Sequence, residues 1–179
     1  QGGIVFYFNE NGGGLIAAPL DQSNQSTNGL AEWGCAFTSI TGADGIAIGT
    51  GAQNTIDILN ECSQSGIAAE LCDTLTLGGY SDWFLPSKDE LNEMYINLHS
   101  QGLGGFFSIA TTNGTYWSST ELLDTLTFSS GIPQTIAVCQ DFLDGDTYLC
   151  GKAHDRYVRA VRAISPAAEC THTDSLVLT

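Results

Sequence analysis

Three carboxylates lie close together in the second half of the chain, at Asp141, Asp144 and Asp146. Hard oxygen ligands at such short spacing suit Ca²⁺, although the spacing differs from that of an EF-hand loop. We therefore predict these aspartates as the ligands of a calcium ion, the one cofactor that the sequence suggests.

The same segment also predicts a β-hairpin, in which these aspartates would have a different role. Asp144-Gly145 suits a two-residue type I′ turn, and the flanking residues, 134–151, alternate as strands do. In a flat hairpin of this kind, Asp141 and Asp144 would not converge on one ion. The calcium site and the two-residue turn are therefore competing interpretations.

The chain contains six cysteines without a Cys-x-x-Cys pair or a histidine cluster, which favours disulfides over a zinc site. Free buried thiols are the alternative. If residues 144–145 form the turn, counting outward places Cys139 directly opposite Cys150, within reach of a disulfide. The other predicted pairs are Cys62 with Cys72 and, by elimination only, Cys35 with Cys170.

Aromatic and basic side chains supply the candidates for ligand binding. Four of the five basic residues fall between Lys152 and Arg162, where guanidinium groups could contact an anion or a carboxylated sugar. Internal pairing with some of the 20 acidic residues is the competing interpretation. Tryptophan and tyrosine rings either stack on sugar faces or fill the core. The side chains that we predict to bind ligand are Trp117, Glu121, Tyr148 and Arg156.

The composition argues against several classes of protein. A formal net charge of -15 provides no basic stripe for phosphate groups, so we do not expect a nucleic-acid binder. No apolar run approaches the length of a membrane-spanning helix, so we expect no membrane insertion. No GxSxG or HExxH motif accompanies the histidines, and we therefore expect no enzymatic activity.

The elements that must position these residues follow from the periodicity of the chain. A capping box at Ser87 and Glu90 begins the clearest helix, and apolar residues at helical spacing predict another over 52–64. Residues 67–75 resemble a further short helical segment. Two helices on one side of a mostly antiparallel sheet, joined by long loops, make an α+β layout. Strands are predicted over 4–8, 15–18, 115–120, 134–142, 147–150 and 157–164.

Three sequence strings carry a resemblance to a known family. They are GGYSDWFLPSKDELNEMY over 78–95, YWSSTE over 116–121 and YVRAVRA over 157–163. Together with the opening GGIVFY, they resemble the Lcl C-terminal domain family, which is named after the terminal domain of a bacterial collagen-like adhesin. The resemblance runs in order through roughly residues 2–164, and the order makes it specific.

The resemblance implies a C-type-lectin-like fold, with two helices flanking a small antiparallel sheet and long loops, over residues 1–164. Residues 165–179 would form a C-terminal tail or linker. The resemblance also implies a secreted or cell-surface bacterial adhesion module that recognises a glycan or a surface protein, with calcium in a nearby loop. A structural or assembly domain of a surface fibre, a trimer or another homo-oligomer, with no small ligand, is the alternative.

The chain departs from this family pattern in two respects. The named adhesin is associated with sulfated polyanionic glycans, which suit a basic surface, whereas this chain is strongly acidic. The sequence also contains no collagen-like Gly-x-y tract, so trimerisation by that route has no support within these residues.

Overall fold

The computed structural model describes residues 2–22, 30–108, 114–127 and 133–166, with the backbone alone at 123–127 and 133–134. Within these ranges the chain forms three α-helices, a short 3-10 helix and two β-sheets, so the α+β class is confirmed. In chain order the elements are β1 Ile4–Phe8, β2 Gly14–Ala17, β3 Leu30–Ala31, α1 Gly51–Glu61, α2 Ala68–Asp73, α3 Lys88–Asn97, the 3-10 helix His99–Gln101, β4 Thr115–Thr127, β5 Pro133–Asp141, β6 Thr147–Gly151, β7 Arg156–Tyr157 and β8 Val161–Ile164.

Helix α3 begins at the capping box predicted from the sequence. The Ser87 hydroxyl accepts a hydrogen bond from the backbone N–H of Glu90, and the Glu90 carboxylate accepts one from the N–H of Ser87. Glu90 is fully buried and also accepts from the N–H of Gly49, which ties the loop before α1 to the start of α3. The short helix α2 lies within the predicted helical segment 67–75, so the described chain has a third α-helix besides the two of the expected layout.

The strands form a three-stranded sheet in the order β1-β2-β8 and a five-stranded sheet in the order β3-β7-β4-β5-β6. All pairings are antiparallel except that of β4 with β7, where Tyr116 pairs with Tyr157. The strand predicted over 157–164 is therefore wrong as a single element, because β7 and β8 belong to different sheets. The connecting Arg159 is buried and bonds to Asp21 instead of continuing a strand.

The core consists of two groups of buried apolar side chains, one on either side of the larger sheet's central strands. All three tryptophans belong to the first group, together with residues of α1 and α2. The second group joins the smaller sheet to α3 and to a set of stacked aromatic rings. The largest members are Trp33, Trp83, Trp117, Ile40 and Ile58 in the first group, and Phe6, Met94, Leu98, Tyr116, Phe142 and Tyr157 in the second.

The hairpin between β5 and β6 exists, but its turn contains four residues rather than two. Cys139 pairs with Tyr148 in the register, and the turn over 142–145 lies between Asp141 and Asp146. Gly145 has a φ of 85°, and a Cβ atom there would lie 2.5 Å from the Tyr95 ring of α3. Both facts require glycine at this position, so the Asp-Gly dipeptide serves the contact with α3 as well as the turn.

The disulfides agree with the sequence prediction at one pair and correct it at the others. Cys139 is bonded to Cys150, as predicted, but diagonally across the two strands, with a Cα–Cα distance of 6.1 Å. The second disulfide joins Cys35 to Cys62, with a Cα–Cα distance of 5.8 Å, so the predicted pairs of these two cysteines are wrong. Cys72 is a free thiol that faces the core from α2, whereas Cys62 ends α1 beside Cys35. Cys170 lies outside the described residues, as does residue 167 onward of the predicted tail.

Candidate functional site

A cleft of about 330 Å³ opens at the end of the larger sheet, where β4 begins and β5 ends. The register places Thr115 opposite Asp141 and Tyr148 opposite Cys139. Because alternate residues of a strand share a face, the Thr115, Asp141 and Tyr148 side chains lie on the same side of the sheet. The residues that line the cleft are Thr115, Asp141, Tyr148, Leu149, Cys150 and Arg156.

The carboxylates near the cleft are held by the hairpin turn. The Oδ1 atom of Asp141 accepts a hydrogen bond of 2.9 Å from the N–H of Leu143, and Oδ1 of Asp144 accepts one of 2.9 Å from the N–H of Asp146. The Gln140 amide fixes this turn to α3 by donating to the Asn92 side chain and to the Gly145 carbonyl. The second oxygen of Asp144, Oδ2, accepts a hydrogen bond from the Tyr148 hydroxyl.

Tyr148 is the exposed aromatic residue of the cleft. It lies on β6, the edge strand of the larger sheet within the described residues, and 46% of its surface is exposed. Its hydroxyl donates a hydrogen bond of 3.2 Å to Oδ2 of Asp144. The charge of that carboxylate raises the pKa of Tyr148, so the hydroxyl remains a neutral donor. The ring is therefore held at its tip and presents its apolar face.

Arg156 is the basic residue of the cleft. Its Nη1 atom donates to the backbone carbonyl of Asp155 at 2.8 Å, and its Nε atom is buried without an acceptor. Burial lowers the pKa of Arg156, while the charges of Asp155 and Asp141 act in the opposite direction. No carboxylate lies within 4 Å of the guanidinium among the residues that the structure describes.

The structure brings the three candidate calcium ligands to one turn but does not group them around an ion. Among the described residues, no set of three or more histidine, cysteine, aspartate or glutamate side chains is arranged to hold a metal. Asp141 and Asp144 each engage one oxygen with the turn backbone. This geometry agrees with the competing interpretation, in which the aspartates shape the turn.

Two residues predicted to bind ligand lie in the core and not in the cleft. Trp117 is completely buried, and its indole N–H donates to the carbonyl of Ala31 at 2.9 Å. Glu121 is also completely buried and pairs with Lys152. Both faces of β4 are covered at these positions, so the core interpretation of the Trp117 ring is correct and we remove both residues from the candidate site.

The remaining basic residues near the end of the chain pair internally, which confirms that interpretation of the cluster. Lys152 bonds to Glu121 at 3.0 Å, and Arg159 bonds to Asp21 at 2.6 Å. Arg162 bonds to Asp82, and its guanidinium also lies over the Tyr80 ring. Arg156 is therefore distinct from its neighbours in the sequence.

Sequence reasoning missed the contribution of Thr115 and Leu149 to the cleft. Both residues belong to strands that the sequence pattern predicts, over 115–120 and 147–150. The sequence contains no signal that the start of β4 and the edge strand meet at one cleft, because that depends on the pairing of both with β5.

None of the described helices has the length and apolar character that crossing a membrane would require.

Comparison with known proteins identifies the family to which this chain belongs. No curated protein matches the chain at a significant level. The model of the Lcl C-terminal domain family matches residues 23–162, which include every residue of the cleft. The family is surface-associated, and the disulfides fit an extracellular protein. The chain belongs to the Lcl C-terminal domain family.

Proposed function

We propose that this domain is an extracellular bacterial adhesion module that binds a glycan in the cleft formed by Tyr148, Asp141 and Arg156. One observation carries the proposal: an exposed aromatic ring, a carboxylate and a guanidinium that has no carboxylate within 4 Å in the described part of the chain line the same cleft. A sugar presents an apolar ring face and a rim of hydroxyl groups. Tyr148 can cover the face, and the two charged side chains can bond the hydroxyls.

The shape of the cleft suits weak binding. The cleft is open and of modest size, so it would bury only part of an oligosaccharide, and few polar groups fix the orientation of the ligand. Display of many copies on a surface would raise the overall avidity. The proposal assigns no catalysis to the domain, and it includes a C-type-lectin-like arrangement of the α+β fold, in keeping with the family resemblance.

The test is a glycan array with the purified domain, run in calcium and in chelator. We expect selective signal that falls at least about tenfold in Tyr148→Ala, since removal of an anchor aromatic typically costs more than about 1 kcal/mol. Tyr80→Ala is the matched control, because Tyr80 is also exposed but lies away from the cleft. Silence across the array in both buffers would contradict the proposal.

Calcium is a separate part of the proposal. If an ion bridges the ligand to the carboxylates of Asp141 and Asp144, chelator abolishes the signal and Asp144→Asn does the same. Signal that is equal in both buffers would show that binding does not require calcium, and the cleft would remain the proposed binding site.

A second candidate function, self-assembly, has support from an apolar surface beside the edge strand. A depression of about 310 Å³ lies there and shares Tyr148 and Leu149 with the cleft, whereas Ile46 and Val138 line the depression alone. Edge strands offer unpaired backbone groups to a second copy. Light scattering over a range of concentrations tests this alternative. Assembly would be lost in Ile46→Lys, which lies outside the cleft, and kept in Leu103→Lys, a similarly exposed apolar residue elsewhere, whereas a monomer at all concentrations would reject it.

A further inference from the structure

The pairing of the cations singles out one of them. The chain has five lysine and arginine residues, all within the described ranges. Four have a carboxylate partner within 4 Å, and Arg156 has none among the described residues. In a chain with 20 acidic residues, a half-buried guanidinium without such a partner is the exception. The four pairs are Lys88 with Asp89, Lys152 with Glu121, Arg159 with Asp21 and Arg162 with Asp82.

The donors of Arg156 are also incompletely used. A guanidinium carries five N–H groups. Here one nitrogen, Nη1, donates to a backbone carbonyl, and Nε is buried with no acceptor among the residues that the structure describes. Because Nε is shielded from solvent, a ligand in the cleft would meet the N–H groups of the terminal nitrogens. The group that matches the planar fork of arginine, with two parallel hydrogen bonds, is a carboxylate or another oxyanion.

The surroundings of Arg156 restrict the charge of that ligand. Asp141 lines the same cleft, Asp155 precedes Arg156 in the chain, and Asp144 and Asp146 lie beside Tyr148. A polysulfated chain would bring many negative charges against these carboxylates, with one cation to offset them. A single carboxylate would meet Arg156 alone, while the neighbouring sugar hydroxyls donate to Asp141.

We propose that the ligand of the cleft is a carboxylated sugar of the hexuronic acid kind, whose carboxylate is bound by Arg156. Its ring stacks on Tyr148, and its hydroxyls bond to Asp141. This inference rests on the proposed function, since it names the ligand class of the same cleft. It assigns to Arg156 the role of a specificity-determining residue.

Matched sugars test the inference on the unaltered protein. Methyl glucuronoside and methyl glucoside differ only in whether a carboxylate or a hydroxymethyl group is present, and glucose 6-sulfate offers a different anion. Titrations followed by the backbone amide signals of the protein give the affinity for each. We expect the glucuronoside to bind about tenfold more tightly than the glucoside, because a charge-assisted pair of hydrogen bonds replaces a neutral one. We expect this preference to shrink as salt is added.

Variants locate the preference within the protein. Arg156→Gln should bind the two methyl glycosides equally, and Arg156→Lys should keep only part of the preference, because it retains the charge and loses the fork. Arg162→Gln is the matched control, since it removes the same charge from β8, away from the cleft. Melting temperatures of the variants show whether the fold is kept.

The outcomes separate this inference from the proposed function. Equal binding of both glycosides, or stronger binding of the sulfate, would overturn the inference and leave a glycan-binding cleft. Loss of the preference in Arg162→Gln as well as in Arg156→Gln would also overturn it, because overall charge would then explain the effect. Silence of the whole glycan array would overturn both.

Discussion

The ammonium group of Lys152 donates a 3.0 Å hydrogen bond to the carboxylate of Glu121, and both side chains are completely buried. The same ammonium donates to the Thr38 carbonyl at 2.7 Å and lies over the Trp33 ring. The other carboxylate oxygen accepts from the N–H of Ile40. This pair joins β4, the segment after β6 and the loop before α1 within the first core group.

Removing one member of this pair should strongly destabilise the domain. Glu121→Gln or Lys152→Met leaves a buried charge without its partner, which typically costs about 3–5 kcal/mol. Urea unfolding followed by tryptophan fluorescence measures the free energy of unfolding. The control is Lys88→Gln, which breaks a partly exposed pair worth less than about 1 kcal/mol. A Glu121→Gln variant as stable as that control would contradict a structural role for the pair.

The disulfide pattern makes a prediction about thiol chemistry. Peptide mapping of the unreduced protein should find Cys35 linked to Cys62 and Cys139 linked to Cys150. Cys72 should resist alkylation until the protein unfolds, because it is buried in the core, and burial raises the pKa of its thiol. Rapid alkylation of Cys72 in the folded domain, or a Cys62–Cys72 link, would show that the packing of α1 and α2 differs from this description.

Removing the disulfides separately should give unequal losses of stability. The Cys35–Cys62 bond closes a segment of 27 residues, and the Cys139–Cys150 bond closes one of 11. On the chain-entropy account, the free energy of unfolding falls by about 3.5 kcal/mol when Cys35 and Cys62 are replaced by serine, and by about 3 kcal/mol when Cys139 and Cys150 are replaced. Thermal unfolding compares the two variants, with Cys72→Ser as the reference. Greater loss for the shorter loop would contradict the entropic account for this protein.

The stability of the domain should depend on pH through His99. This ring packs against Tyr95, Phe106 and Phe142, and burial lowers its pKa from the ordinary value of about 6.5. The unfolded chain therefore takes up a proton at higher pH than the folded domain does. Stability should fall as the pH decreases below about 6.5, toward the lower pKa of the folded state. His99→Gln should flatten this part of the profile of melting temperature against pH. An unchanged profile would show that His99 does not cause this pH dependence.

The contact between Tyr148 and Asp144 can be tested by titration of the phenol. Neutralising the carboxylate in Asp144→Asn should return the pKa of Tyr148 toward its ordinary value, because the charge of Asp144 is the largest cause of the upward shift. NMR signals of the tyrosine ring, assigned by comparison with Tyr148→Phe, follow the titration. Asp57→Asn is the control, since Asp57 lies on α1. An equal change of the Tyr148 pKa in both variants would contradict a specific contact between Tyr148 and Asp144.

The elements that could be predicted from the sequence are those specified by local patterns. The capping box at Ser87 and Glu90 begins α3, and alternation with turn residues defines the hairpin of β5 and β6. The predicted turn length is wrong because α3 shapes the turn from outside the local sequence: its Tyr95 ring packs against Gly145, and its Asn92 side chain accepts from the Gln140 amide. Local chemistry thus predicted the element, and tertiary contacts determined its register.

The site could be predicted only in part, for a similar reason. Trp117 and Tyr148 both lie on strands, on the same side of the larger sheet, yet Trp117 is covered by the first core group and Tyr148 lies on the exposed edge. Arg156 and Arg159 are three residues apart, but Arg159 meets Asp21, which is distant in the sequence. Burial and ion pairing at such positions depend on non-local contacts that no spacing rule reveals.

The central claim is that the cleft around Tyr148 is where the domain binds a glycan, and mapping of backbone amide shifts tests it most directly. The measurement titrates the glycan with the strongest array signal into isotope-labelled protein. The account predicts shifts at Thr115, Asp141, Cys150 and Arg156, which line the cleft and not the neighbouring depression, and their loss in Tyr148→Ala. Shifts confined to the depression around Ile46 and Val138, or to the loop over 103–108, would contradict it.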